Sequence, residues 1–178
     1  MNDNTIAATV KEIERYVANA GWDAPIRVFA LIRSAQALAT HPELAAELPA
    51  DVPLAAAENP DALFSVEQEG LPPADSIGEL LAQLAWPETV TGAALTCERV
   101  TLPPQAEKDI PANPQEAEKF IATDPRREEI RMAVGVLRSG ESWCAIRMRS
   151  HDNDDEVLGS PDLVPELVAA LRATFAQE

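Results

Sequence analysis

Chemically versatile side chains cluster at one place in the sequence, the acidic stretch HDNDDE at residues 151–156. Asp152, Asp154 and Glu156 alternate along it, so three carboxylates could converge in extended or looped backbone. Hard cations such as Ca²⁺ and Mg²⁺ prefer oxygen ligands of this kind. The spacing therefore makes these three residues candidate ligands of a divalent cation, although the sequence predicts no other cofactor.

Other interpretations of this stretch stay open. Its match to a calcium-binding EF-hand loop is poor, because Val157 stands where that loop needs a glycine. The acids can instead form a solvated surface loop that pairs with Arg147 and Arg149. In a small metal-assisted or acid–base enzyme, the same carboxylates would act with His151 or Glu67 as the proton carrier.

Motifs of the common enzyme classes are missing from the sequence. It has no glycine-rich phosphate loop, no Gly-x-Ser-x-Gly elbow, no Cys-x-x-Cys pair and no His-Glu-x-x-His helix. Catalysis by histidine would have to use His41 or His151, and His41 stands at a break between two short predicted helices. We therefore favour a non-enzymatic binding or adaptor protein over an enzyme.

A β-hairpin is predicted directly before the acidic stretch, at residues 130–148, where apolar residues alternate on both sides of a turn. A three-residue turn with Gly140 in the left-handed conformation gathers these apolar residues on one face, whereas a two-residue turn would divide them between both faces. This register places Trp143 opposite Gly135. The indole could then lie over the bare glycine backbone.

The same register sets Arg131 opposite Arg147 on the outer face of the hairpin. Opposed guanidinium groups repel each other, so we expect an anion between or beside them. It is one of the chain's own carboxylates, a bound anion or an acidic partner.

A partner-binding surface is predicted at this pair of arginines and at the acidic tip that follows Val66. Its candidate residues are Arg131, Trp143, Arg147, Arg149, His151, Asp155, Glu67 and Glu69.

An α+β fold is predicted from the elements around this hairpin. The apolar run at residues 26–32 predicts a strand that lies centrally in the sheet and is covered on both faces. Residues 92–102 predict another strand, so that with the hairpin an antiparallel sheet of about four strands results. Helices at the N- and C-termini pack on this sheet. We expect one domain over residues 1–178.

Capping residues and apolar stripes place the helices. The first helix is expected to start at Asn4 and to carry Glu14 on its wet side. Asp75 or Ser76 caps a central helix, and Asp162 caps the last one. The buried stripe of the first helix is expected to consist of Ile6, Val10, Ile13 and Val17.

A long proline-punctuated loop is expected at residues 49–75, because no hydrophobic period persists there. Leu63, Phe64 and Val66 are expected to attach its middle to the domain. Loops of this length are usually functional or flexible.

The formal net charge of −16 excludes some classes of partner. Nucleic-acid binding depends on neutralising phosphates with cations, and docking on anionic membranes needs cations too, so neither is expected. No lysine or arginine occurs between Arg33 and Arg99, and we expect this acidic part to pack near the arginine-bearing sheet. The predicted partner is a protein of unknown identity, and a homodimer is an open alternative.

A cytoplasmic location is predicted from three observations. The N-terminal residues lack the basic start and apolar core of a signal peptide. No apolar run approaches the length of about 18 residues that a membrane helix needs. Cys97 and Cys144 lie on predicted strands and are interpreted as reduced core residues.

Several segments of the chain resemble one known family: GWDAPIRVFALI, SVEQEGLPP, LAWPETVTGAAL, RVTLPPQAE and CAIRMRSHDNDDEVLGSPDLVP. The family consists of uncharacterised cytosolic proteins of actinobacteria. The resemblance covers almost the whole chain, and RSHDNDDEVL is its most specific part. The preference for arginine over lysine and the richness in alanine fit a GC-rich genome. The resemblance implies family membership, and it carries over no activity, cofactor or site residue.

Overall fold

The computed structural model describes residues 5–74 and 76–177. The expected caps Asn4 and Asp75 lie outside the described residues. The helices are α1 (Thr5–Ala18), α2 (Ser34–Thr40), α3 (Leu44–Glu47), α4 (Asp51–Glu58), α5 (Ile77–Ala82), α6 (Pro104–Glu107), α7 (Pro114–Thr123) and α8 (Pro165–Ala173). The strands are β1 (Arg27–Arg33), β2 (Leu63–Glu67), β3 (Gly92–Thr101), β4 (Glu128–Leu137), β5 (Ser142–Met148) and β6 (Leu158–Ser160). Short 3₁₀ turns lie at Arg149–His151, Asp154–Glu156 and Thr174–Gln177.

Within the described residues, six strands form one antiparallel sheet in the order β2-β1-β3-β4-β5-β6. The α+β class is confirmed, and the expected number of about four strands is too low. Both additional strands are edge strands. β6 has only three residues, too few to show a period, and β2 lies inside the segment that was expected to be a loop.

The hairpin register is confirmed. Gly135 lies opposite Trp143, and Arg131 lies opposite Arg147. The Gly140 N–H donates to the Leu137 carbonyl at 2.9 Å, and Gly140 has a φ of +107°. Glycine adopts this backbone region without the steric cost that a side chain brings, so the three-residue turn closes and keeps the apolar residues together.

Helix α1 covers one face of the sheet with its apolar stripe, and all four predicted stripe residues are buried. A Cβ added to Gly135 would lie 2.6 Å from Val10 and 3.1 Å from Ile6. The expectation that Trp143 lies over Gly135 is therefore wrong, because the helix occupies that space. The Trp143 ring lies against Gly159 instead. A Cβ added to Gly159 would lie 3.0 Å from Cζ2 of this ring.

Helices α5 and α8 cover the other face. The largest buried cluster contains side chains of β1, β3, β4 and β5 together with Leu80 and Leu81 of α5 and Leu167 and Leu171 of α8. Ser76 caps α5, because its hydroxyl accepts a hydrogen bond from the Glu79 N–H at 3.1 Å, as expected. The expected Asp162 cap of α8 is wrong. The helix begins later, with Val164 as an N-cap that makes no side-chain hydrogen bond.

Residues 49–75 are not a continuous loop, because they contain α4 and β2. The expected attachment of the middle of this segment is provided by strand pairing: β2 lies antiparallel to β1, with Phe64 opposite Ile32 and Val66 opposite Ala30. Strand β1 is consequently an internal strand, second from the edge, and it is covered on both faces as predicted.

Candidate functional site

A carboxylate of the chain itself lies between the two opposed arginines. Glu14 of α1 accepts hydrogen bonds from Arg147 Nε at 2.9 Å and Nη2 at 2.8 Å. Its other neighbour is Arg131, with Nη1 at 3.7 Å from Glu14 Oε2. The expectation of an anion between the guanidinium groups is confirmed. Of the alternatives left open by the sequence, it is one of the chain's own carboxylates. These hydrogen bonds also raise the pKa of Arg147, so that this side chain stays charged.

The placement of Arg131 and Arg147 on an outer face is wrong. Arg131 is 1% exposed and Arg147 is 3% exposed, since α1 lies across this side of the hairpin. Glu14 is only 2% exposed, although it was expected on the wet side of the helix. A buried charge is costly unless it is paired and hydrogen-bonded. The three residues therefore form an internal charge cluster, and neither arginine is presented to a partner.

Two carboxylates of the acidic stretch complete this cluster. Arg147 donates to Asp152 at 3.0 Å through Nη1 and to Asp154 at 2.5 Å through Nη2. Arg15 of α1 lies 3.5 Å from the other oxygen of Asp154. The hydrogen bond from Arg147 holds the pKa of Asp154 below its usual range. The predicted pairing of the acidic loop with Arg147 is thus confirmed.

Trp22 covers the cluster at its other end. Its indole N–H donates to Asp152 at 3.0 Å, and this bond together with Arg147 holds the pKa of Asp152 below its usual range. The Arg131 guanidinium lies 4.4 Å from the centroid of the Trp22 ring, a distance at which a cation is attracted to the ring face. Arg131 also donates through Nη2 to the Gly21 carbonyl. The tryptophan therefore shields the charges that α1 leaves uncovered.

Arg149 binds different acids from those expected. Its Nη1 lies 3.2 Å from Asp23 and 3.2 Å from Glu129, so the predicted pairing with the 151–156 stretch is wrong for this arginine. Its guanidinium also lies 5.6 Å from the centroid of the Trp22 ring. Arg149 is partly exposed and remains the most accessible guanidinium at this end of the sheet among those predicted to bind a partner.

His151 lies beside Ser150 on the surface. The Ser150 hydroxyl is 2.9 Å from His151 Nδ1, and it also donates to the Glu128 carboxylate. A nucleophilic serine needs its base oriented by the acid. Here the carboxylate contacts the serine and not the imidazole, so the order of the three groups does not match a hydrolytic triad.

The metal-ligand candidates are dispersed. Asp152 and Asp154 are bound by Arg147, whereas Glu156 and the partner-binding candidate Asp155 are exposed and make no side-chain ion pair with any residue that the structure describes. Within residues 5–74 and 76–177, no group of three or more His, Cys, Asp or Glu side chains is arranged to hold a metal ion.

A cleft of about 330 Å³ lies beside this cluster, between α1 and the end of the sheet formed by β5 and β6. Trp143 forms part of its wall, with the Lys11 ammonium 5.7 Å from the ring centroid. Leu158 at its rim is 51% exposed. The lining residues are Lys11, Glu14, Arg15, Trp143, Ala145, Arg147, Asp154, Val157, Leu158 and Gly159.

A larger cleft of about 500 Å³, which we call the β2 groove, lies at the opposite edge of the sheet. It brings together β2, one residue each of α1 and α2, and the segment that contains α4. Its apolar lining residues are Leu48, Pro49, Val52, Ala55, Leu63, Phe64 and Val66, and its polar ones are Glu12, Ser34, Asp51, Ser65 and Glu67. The predicted partner residue Glu67 thus belongs to this groove, and exposed Glu69 follows it in the chain.

The backbone of β2 is open along this groove. The Gln68 N–H donates to Val28 at 2.8 Å, and the Ala62 carbonyl accepts from Ser34 at 2.9 Å. In an antiparallel pair, successive residues direct their N–H and C=O groups alternately toward the partner strand and away from it. The odd-numbered residues of β2 therefore point theirs away from β1. No strand lies on that side within the described residues.

The sequence prediction missed Glu14, Trp22 and Asp23. For Glu14 a signal existed, because it directly follows Ile13 at the edge of the apolar stripe, and two opposed arginines required an acid. For Trp22 there was none, since 130 positions separate it from Asp152. Its role depends on the path of the chain after α1.

The comparisons with known proteins support membership of one family over almost the whole chain. A family model described as PPA1309-like protein matches residues 6–176. The chain belongs to this family. No curated protein and no solved structure matches it. The residues matched by the family model include the internal charge cluster, the cleft beside Trp143 and the β2 groove. In the part of the chain that the structure describes, no helix is long and apolar enough to cross a membrane.

Proposed function

We propose that this PPA1309-like protein is a non-enzymatic binding or adaptor protein that captures an extended segment of a partner protein along β2. The observation that carries the proposal is the open strand edge beside an apolar groove of about 500 Å³. An added strand would bind through main-chain hydrogen bonds, and pockets for alternate side chains would provide its specificity.

The strand edge is accessible to a partner. Ser65, Val66 and Glu67 are exposed along its length. Leu63, Ser65 and Glu67 direct their N–H and C=O groups outward, as the pairing with β1 requires. A partner strand that uses these groups gains about 0.5–1.5 kcal/mol for each hydrogen bond. The apolar lining of the groove adds burial of the partner's side chains.

The internal charge cluster supports a binding function over the enzyme alternative. Arg147 is fully engaged by Glu14, Asp152 and Asp154. Asp152 and Asp154 are two of the three carboxylates that an acid–base or metal-assisted enzyme would have used. Their pairing stabilises the contact between α1 and the hairpin, and we assign them that structural role.

The partner-binding surface predicted around Trp143, Arg149, His151 and Asp155 lies at the β5 end of the sheet, away from the β2 groove. It stays a prediction. Of its residues, Trp143 is the one placed for an apolar contact, because it lines a cleft together with the exposed Leu158.

A cytosolic location in an actinobacterial cell is the second part of our proposal. Cys97 and Cys144 are both free and buried, which is typical of proteins that work in a reducing compartment. The prevalence of arginine over lysine and the richness in alanine support a GC-rich source. Fractionation of the native host and immunodetection of the chain would test the location; recovery in the culture supernatant would contradict it.

Proline at position 65 tests strand addition. The Ser65 N–H points away from β1, so Ser65→Pro removes an outward donor and leaves the β1 ladder intact, as proline is tolerated on the open side of edge strands. The matched control, Ser65→Ala, keeps the N–H. The probes are fluorescein-labelled hexapeptides in which valine alternates with lysine, threonine or glutamate. We expect at least one to bind wild type and Ser65→Ala equally, and Ser65→Pro at least about tenfold more weakly.

A second measurement keeps the test independent of how the proline variant folds. Methylation of alternate peptide nitrogens should abolish binding to the wild-type protein, because those nitrogens can no longer donate to β2. Hydrogen exchange should show slower exchange of the Ser65 and Glu67 amides when the unmodified peptide is bound. If none of the hexapeptides binds, strand addition at β2 is wrong. It is also wrong if a peptide binds the Ser65→Pro variant as tightly as wild type and the methylated peptide still binds the wild-type protein.

A further inference from the structure

The β2 groove has an acidic rim. Glu12, Asp51 and Glu67 line it, and no lysine or arginine does so among the described residues. Glu12 and Asp51 are exposed and form no ion pair within the part of the chain that the structure describes. Glu67 has one cationic neighbour, Arg27, at 3.7 Å. The carboxylates of this groove are therefore largely without counter-charges.

The opposite end of the sheet contrasts with this arrangement. There Arg147 alone contacts three carboxylates, and Arg149 contacts two more. None of these five carboxylates lies between Arg33 and Arg99, so Arg147 and Arg149 do not neutralise the excess negative charge of that stretch. The segments of the chain that line the β2 groove, and the residues next to them in sequence, contain several exposed acids: Glu43, Glu47, Asp51, Glu58, Glu67 and Glu69.

We propose that the segment captured along β2 is basic, with lysine or arginine alternating with aliphatic residues. This inference rests on the proposed function and adds the chemistry of the partner. Leu63, Ser65 and Glu67 project toward the face that α1 covers, together with Glu12. Side chains of an added strand on that face lie directly beside these acids, so cations are favoured there.

The other face of the added strand meets a different surface. Phe64 and Val66 project to the opposite side of β2, and Val66 is 40% exposed. Because side chains alternate between the two faces of a strand, every second residue of the partner would pack against these apolar groups. The acidic side and the apolar side together specify the alternating basic and aliphatic pattern.

Charge also argues against a second copy of this chain as the occupant. Pairing of β2 with β2 across a two-fold axis would bring two acidic rims together in a protein of net charge −16. Like charges across an interface are unfavourable. A basic partner gains from the same field, and the attraction weakens when salt screens the exposed carboxylates.

Fluorescence anisotropy with the lysine–valine, threonine–valine and glutamate–valine hexapeptides tests the inference. We expect the lysine peptide to bind at least about tenfold more tightly than the glutamate peptide at low ionic strength, with the difference shrinking as salt is added. A peptide with the same three lysines and three valines in two blocks should bind more weakly, because its cations cannot all face Glu12 and Glu67.

Charge reversal at the rim provides the second part of the test. The double variant Glu12→Lys and Glu67→Lys should prefer the glutamate peptide. The control pair, Glu118→Lys and Glu141→Lys, changes the net charge equally at exposed positions outside the groove, and it should keep the lysine preference. Circular dichroism and urea unfolding establish that each variant folds.

The outcomes separate the two proposals. Equal binding of the lysine and glutamate peptides, or a lysine preference that survives rim reversal, overturns the basic partner. If in that case Ser65→Pro still abolishes binding, strand addition stands. Concentration-dependent dimerisation that blocks peptide binding would assign the edge to a second copy and overturn the basic partner as well.

Discussion

Glu14 and Arg147 form a bidentate pair in the interior of the protein, with hydrogen bonds of 2.9 Å from Nε and 2.8 Å from Nη2. One residue lies on α1 and the other on β5, 133 positions apart. Both side chains are almost completely buried. The pair therefore fixes the position of the first helix on the sheet.

Neutralising Glu14 should destabilise the protein strongly. Glu14→Gln keeps the shape of the side chain and leaves two buried guanidinium groups without their shared carboxylate. Removal of one partner from a buried ion pair costs about 3–5 kcal/mol. Urea unfolding monitored by circular dichroism measures this loss. The control Glu12→Gln changes an exposed position of the same helix and should stay within about 0.5 kcal/mol of wild type; equal stability of both variants would contradict the structural role.

Acidification should weaken the contact of the acidic stretch with Arg147. The pKa values of Asp152 and Asp154 in the folded protein lie below the value of 3.8 that describes an unperturbed aspartate. Their contribution to stability is therefore complete above about pH 5, and it is lost as the pH falls through the folded-state values. The melting temperature of wild type should consequently fall steeply below about pH 4.

The variant Asp152→Asn with Asp154→Asn tests this assignment. It should melt at a lower temperature than wild type at neutral pH, and it should lose less on acidification because its side chains do not titrate. Asp155→Asn alters an exposed neighbour that forms no ion pair among the described residues and should follow the wild-type pH dependence. A double variant as acid-sensitive as wild type would assign the acid transition to other carboxylates.

Local periodicity was sufficient to predict the hairpin in detail. The alternation of apolar residues and the single glycine at position 140 leave one register that buries one face. From that register, the opposition of Arg131 and Arg147 and the need for an anion followed directly. The identity of the anion did not follow, because it depends on which helix crosses the sheet on that side.

The misplacement of the two arginines has this origin. A two-sided sheet was treated as if one face were solvent, so Arg131 and Arg147 were assigned to a binding surface. The β2 edge was hidden because prolines and acids interrupt the pattern on both sides of Leu63–Glu67. Glu67 was predicted as a candidate contact from its acidity alone, whereas the open backbone beside it could be seen only after β1 and β2 were paired.

Adding a methyl group to Gly135 should disturb the packing of α1. The new Cβ would lie 2.6 Å from Val10 Cγ2 and 3.1 Å from Ile6 Cδ1, both in the buried stripe of the helix. Overpacking of this kind typically costs about 1–3 kcal/mol. Gly78→Ala is the matched control, because it lies on an exposed part of α5 with its nearest atom at 3.9 Å. The control should be neutral or stabilising by up to about 1 kcal/mol. Urea unfolding measures both effects. Equal effects of the two substitutions would mean that α1 does not pack closely on Gly135.

The two cysteines should resist alkylation in the native protein. Burial raises the pKa of Cys97 to about 11 and also raises the pKa of Cys144. The thiolate is the reactive form, so at about pH 8 both side chains are protonated as well as inaccessible to the reagent. Mass spectrometry after treatment with iodoacetamide should show unmodified native protein.

Unfolding provides the control for this reactivity. In concentrated guanidinium chloride both thiols should be alkylated rapidly, because their pKa values return to the ordinary range. Glu14→Gln gives an intermediate case: if it loosens the contact of α1 with the sheet without unfolding the opposite face, Cys97 and Cys144 should stay protected, since both pack on the α8 side. Fast alkylation of either thiol in the native wild-type protein would contradict the burial of that face.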